Sequence, residues 1–242
     1  MAFIQLDFLS KYLNMHTAVN IALPMPVDAS VPMEDIPCVY LLHDAGEDMT
    51  SWQRNVPVER YANEFGVAII MPDGALSFYE DMRHGGLYRS YIGRELPELL
   101  RAYLPLSAKK EKNFIAGCGM GGRGAVKIAL ANPDNFSVAG MFAASYREEK
   151  PCCEALESAL FRAYGDDAAS GDRFIEAKAA GSGINICHFV CGDAQEEKLF
   201  ADRGLNYRLE NFGDKDCWAV REKMLVRFIE GLDIPAPEVA VK

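Results

Sequence analysis

Short apolar runs alternate along this chain with stretches in which apolar residues recur every three or four positions. The runs at 17–23, 38–42, 67–71, 113–116, 138–143 and 184–190 predict β-strands. Each has about the length of a buried strand and is bounded by Pro, Gly or Asp. The intervening periodic stretches predict helices near 52–65, 89–103, 122–131, 172–180, 196–205 and 218–232. Pro97 falls inside the second of these and predicts either a place in the first turn or a kink. Strand–helix alternation of this kind implies an α/β domain with a mostly parallel sheet covered by helices on both faces. No Pro-, Gly- or Ser-rich linker divides it, so residues 1–242 read as one domain, with 235–242 as a loose tail.

Composition narrows the function more than the fold. The net charge of −10 opposes nucleic-acid binding, which needs a basic face. No apolar run approaches the roughly 18 residues of a membrane span, and the first residues lack the basic and apolar regions of a signal peptide. Seven cysteines, with Cys118, Cys187 and Cys191 in apolar stretches and Cys152 beside Cys153, suggest reduced thiols and a cytoplasmic protein. There is no C-x-x-C pair, and neither a metal nor another cofactor is expected.

The candidate chemistry lies at residues 114–124, FIAGCGMGGRG. A serine-hydrolase nucleophile elbow reads G-x-S-x-G on a sharp strand-to-helix turn. Here the frame is Gly117-x-Gly119-x-Gly121, so the position of the attacking oxygen has no side chain.

Several landmarks appear in order around it. Residues 36–46 read IPCVYLLHDAG with Ser51-Trp52 downstream. Residues 71–74 read MPDG, 95–97 ELP and 161–166 FRAYGD, and Cys191-Gly192 follows. Over nearly its whole length the chain resembles the esterase D-like and tributyrin-esterase-like α/β hydrolases, which include S-formylglutathione and feruloyl esterases. The resemblance implies an α/β-hydrolase fold, a three-layer αβα sandwich with its pocket at the carboxyl ends of the strands. It places Gly119 at the nucleophile, Gln195 at the acid (with Asp193 or Glu196 nearby), and Asp216 or Lys215 at the histidine. No histidine follows His188.

A serine needs a base within hydrogen-bond reach, and that base needs an orienting partner. With Gly119, Gln195 and Asp216 at these positions, the expectation is a family member without the triad. It would be non-catalytic, with a binding or assembly role. The remaining oxyanion-loop and pocket residues would be His43, Asp44, Cys118, Met120 and His84.

Asp44 replaces a glycine of the family's oxyanion loop, and its charge would repel a developing oxyanion. An alternative is a hydrolase of small acyl or carbohydrate esters working through a displaced set such as Cys118, His43 and Asp44. His43 otherwise reads as a structural histidine and Cys118 as a core thiol. His43, Asp44, Asp48 and Asp216 are ligand types suited to a divalent cation, but solvated loop acids are the plainer reading. His84 with Arg83, flanked by Tyr79 and Tyr88, would suit a small-molecule or carbohydrate ligand. A homo-oligomer is compatible with the assembly reading.

Overall fold

In the computed structural model, residues 2–25, 34–145, 151–179, 181–192 and 206–234 are described. The apolar runs become the centre of one eight-stranded sheet. The strands are β1 (Ala2–Ser10), β2 (Met15–Leu23), β3 (Cys38–Leu42), β4 (Ala68–Pro72), β5 (Asn113–Cys118), β6 (Val138–Phe142), β7 (Asn185–Val190) and β8 (Asn206–Asn211). Their order is β1-β2-β4-β3-β5-β6-β7-β8. The β1–β2 and β2–β4 pairs are antiparallel; every pairing from β4 to β8 is parallel.

Strand periodicity sorts the side chains into two cores. On one face, Cys38, Tyr40, Leu42 and Ile115 pack with Leu96, Leu100, Val126 and Ala129. On the other, Val39, Leu41, Phe114, Ala116 and Cys118 pack with Trp52, Tyr61, Met224, Leu225 and Phe228. The first layer holds α3 (Tyr88–Ser90), α4 (Leu96–Tyr103), α5 (Met120–Ala131), α6 (Glu154–Tyr164) and α7 (Ser170–Ala179). The second holds α1 (Ser51–Asn55), α2 (Val58–Phe65) and α8 (Trp218–Glu230). The expected αβα sandwich is therefore the observed one.

Local chemistry corrects two helices. The stretch expected near 52–65 is broken between α1 and α2, because Pro57 cannot continue the first helix and sits at the N-cap of the second. The stretch near 89–103 contains a π-helical turn, Tyr91–Glu95, directly before α4. Pro97 has no N–H to offer the Gly93 carbonyl four residues earlier. The Asn135 side-chain amide donates to that carbonyl instead, at 2.9 Å.

The apolar pattern does not predict strands β1 and β8 or helix α6. The helix expected at 196–205 and the tail at 235–242 lie outside the described residues.

Candidate functional site

Strand β5 ends at Cys118 and α5 begins at Met120, so the chain must reverse within one residue. Gly119 makes that turn at φ +51° and ψ −120°, a region that favours glycine. Its neighbours allow close packing. A Cβ on Gly117 would lie 2.6 Å from the backbone carbon of Gly121, and one on Gly121 would lie 2.5 Å from the His43 carbonyl oxygen. The expected elbow is thus formed, against the end of β3.

The loop after β3 delivers a carboxylate into it. A Cβ added to Gly119 would fall on the side chain of Asp44, well inside van der Waals contact with all three of its carboxylate atoms. Asp44 Oδ1 accepts the backbone N–H of Met120 at 2.8 Å and that of Ala45 at 2.8 Å. These two amides, one just after the turn and one on the β3 loop, are arranged as the donors of an oxyanion hole. A carboxylate oxygen of the chain itself fills the point on which they converge.

A cation completes the arrangement. Arg221, on the buried side of α8, donates to Asp44 Oδ2 at 3.0 Å, to Glu47 Oε1 at 3.1 Å and to both oxygens of Asp216 at 2.7 and 2.5 Å. Glu47 also accepts the backbone N–H of Asp44 at 3.1 Å. Burial disfavours the charge on Arg221, yet hydrogen bonding to Asp216 and the nearby Asp44 outweigh it and raise its pKa above the ordinary value. The Arg221 side chain is 10% exposed, against 24% for Asp44. The site is a carboxylate–guanidinium network anchored on two backbone amides.

The remaining candidates separate from it. Cys118 faces the other side of the sheet, in the core with Trp52 and Phe142, and burial pushes its thiol well above the usual range. His43 is buried; Nε2 accepts the Gly74 N–H at 2.9 Å and Nδ1 donates to the Asp44 carbonyl at 2.8 Å. Both ring nitrogens have backbone partners, and Asp73 Oδ1 lies 3.6 Å from Nε2. His84 does not line the elbow; it stacks on Phe161 with ring centroids 5.4 Å apart. Tyr79 and Tyr88, expected as ligand contacts, are buried, and the Tyr79 hydroxyl donates to the His43 carbonyl at 2.9 Å.

Asp48 turns back onto Thr50 and Arg54 and leaves the group imagined as cation ligands. The Arg221 guanidinium lies between Asp44 and Asp216. Among the described residues no cluster of three or more His, Cys, Asp or Glu side chains could hold a metal ion. Gln195, Asp193 and Glu196 lie outside the described residues.

Sequence reasoning missed Arg221. The available signal was a basic residue on the apolar face of a helix, with Met224, Leu225 and Phe228, five residues after Asp216. A cavity of about 270 Å³ opens above the turn, with Asp44, Gly119 and Met120 at its floor and Ala45, Phe78, Leu156 and Leu160 among its walls.

The family model Esterase ("Putative esterase") matches residues 10–225. The chain belongs to that esterase family. It is 31% identical over 142 residues to an acetyl esterase of Caldicellulosiruptor saccharolyticus, a match covering 56% of this chain and 53% of that protein. The matched region spans about half the length of that curated relative. Among solved structures, the fluorophosphonate-binding serine hydrolase FphF of Staphylococcus aureus superposes with a TM-score of 0.80 at 25% identity, covering 96% of this chain and 98% of that one. The S-formylglutathione hydrolase FrmB of Staphylococcus aureus gives the same TM-score, 0.80, at 25% identity with the same coverage, 96% and 98%. A ferulic acid esterase shares the fold at a TM-score of 0.76 and 17% identity, covering 94% of this chain and 95% of that one. The fold of this family member is that of the α/β hydrolases.

Proposed function

We propose that this chain is a non-catalytic member of its esterase family, whose acyl-transfer centre is replaced by the Asp44–Arg221–Asp216 network and whose cavity serves binding. One observation carries the reading: the Asp44 carboxylate occupies the convergence point of the Met120 and Ala45 amides, above a residue with no side chain. Acyl transfer needs a nucleophile at Gly119 and an empty pair of donors for the developing oxyanion. Here the first is missing and the second is filled by a negative charge. The displaced set gains no support, since Cys118 lies on the opposite face and His43 is spent on backbone.

A cytoplasmic setting is part of the proposal and is supported by seven free thiols. No helix among the described residues is long and apolar enough to cross a membrane.

The test uses the chemistry of the relatives. A fluorophosphonate probe, with FrmB-type and acetyl-ester substrates in parallel, should neither label the purified chain nor be turned over above the buffer rate. Stoichiometric labelling, or ester hydrolysis that co-purifies with the chain through successive columns, overturns the reading.

A further inference from the structure

An oxyanion hole is a pair of N–H donors waiting for an acceptor oxygen. In this chain the acceptor is built in, and the polarity presented to the cavity is reversed. A carboxylate has about four acceptor positions. Ala45 and Met120 take two on Asp44 Oδ1, and Arg221 takes one on Oδ2. One position on Oδ2 remains, on a side chain that is 24% exposed and forms part of the cavity lining.

The local charge points the same way. Among the described residues, three carboxylates, Asp44, Glu47 and Asp216, share the guanidinium of Arg221, and of these four groups Asp44 is the one that lines the cavity. The cation that lines the cavity, Arg123, turns its terminal nitrogens toward the wall, donating to Asp172 at 2.5 Å and to the Tyr164 hydroxyl at 2.7 Å. Away from Asp44 the walls are mainly apolar, with Phe78, Met120, Leu156 and Leu160.

We propose that this cavity binds a small amine: an ammonium group that donates to Asp44 Oδ2, on an apolar or aromatic body seated against Phe78 and Leu160. The assignment rests on the reading that Asp44, and not a substrate oxygen, fills the two amides. An acidic or ester ligand would bring a second acceptor to a point where acceptors already converge, and like charges or lone pairs there repel. An ammonium group instead brings donors, and a charge opposite to that of Asp44, to the open position on Oδ2.

The experiment compares three ligands of nearly one shape on the purified full chain: benzylamine, benzyl alcohol and benzoate, by calorimetric titration. Ligands this small bind weakly, with dissociation constants on the order of 0.1–1 mM. Benzylamine should bind at least about tenfold more tightly than either of the others, the difference expected of one charge-assisted hydrogen bond. Asp44→Asn should bring benzylamine down to the level of the alcohol. Leu160→Trp, which fills the cavity and leaves Asp44 and Arg221 untouched, should abolish binding of all three.

Benzoate binding as tightly as benzylamine, equal binding of all three, benzylamine binding that survives both substitutions, or no benzylamine binding up to about 10 mM overturns the proposal. Fluorophosphonate labelling strikes the reading beneath it. An unlabelled chain that prefers benzoate overturns the amine site alone.

Discussion

Replacing Gly119 by alanine adds one methyl group at a point that the Asp44 carboxylate already fills. The φ of +51° adds backbone strain of about 1–2 kcal/mol for an L-residue, and forcing the methyl into an occupied site adds about 1–3 kcal/mol. Gly119→Ala should therefore lose about 2–5 kcal/mol of stability, a fall in Tm of roughly 4–20 °C for a chain of this length. In an Asp44→Gly background the obstacle is gone and only the strain remains, about 1–2 kcal/mol. A double-mutant cycle measured by urea unfolding should thus show the pair costing about 1–3 kcal/mol less than the sum of the single substitutions. Additivity to within about 0.5 kcal/mol would mean that the carboxylate does not occupy the turn, and the account of the floor would fall.

The thiols give a second prediction. Burial holds the Cys118 thiol well above its usual range, whereas Cys152, Cys153 and Cys217 are exposed. Iodoacetamide at mildly alkaline pH, read by peptide mass spectrometry, should modify those three in the folded chain and reach Cys118 only after denaturation. Rapid native alkylation of Cys118 would reopen its candidacy as a nucleophile.

Asp35 gives a third. Hydrogen bonds from Lys109, Lys112 and Ser107 hold its carboxyl well below the usual carboxylate range. A depressed folded pKa adds stability that is complete above the unfolded value, about pH 4, and drains as pH falls below it. The stability lost by Asp35→Asn should accordingly shrink between about pH 7 and about pH 3 in urea titrations, and a gap that stays constant with pH would contradict the assignment.

The central strands were legible because both of their faces are buried, which leaves an unbroken apolar run such as residues 38–42. The edges were not. Strand β1 alternates as an antiparallel edge should, but its outward positions include Phe3 at 37% and Leu9 at 64% exposure, so apolar residues on the wet face blur the period. Strand β8 reads as polar because Arg208, Glu210 and Arg227 pair along it in place of apolar packing.

At the site, glycine spacing located the turn and Asp44 stood out as a foreign residue in its loop. Composition could say only that a carboxylate lay beside the donors. Its placement between them depends on Arg221, which comes 177 residues later in the chain. Such a partner is invisible to any local pattern.

The pose of Asp44 also ties two positions of the chain together. The carboxylate rests on the Met120 and Ala45 amides in the space that a Cβ at residue 119 would take, so this pose of Asp44 requires glycine at 119. A mutation that placed a hydroxyl at 119 would meet an occupied space and be selected against for the instability it causes, before it could confer any chemistry. A side chain at 119 would need position 44 vacated first, and that step takes one of three carboxylate partners from Arg221. The two positions are thereby coupled, so that neither can change singly without cost.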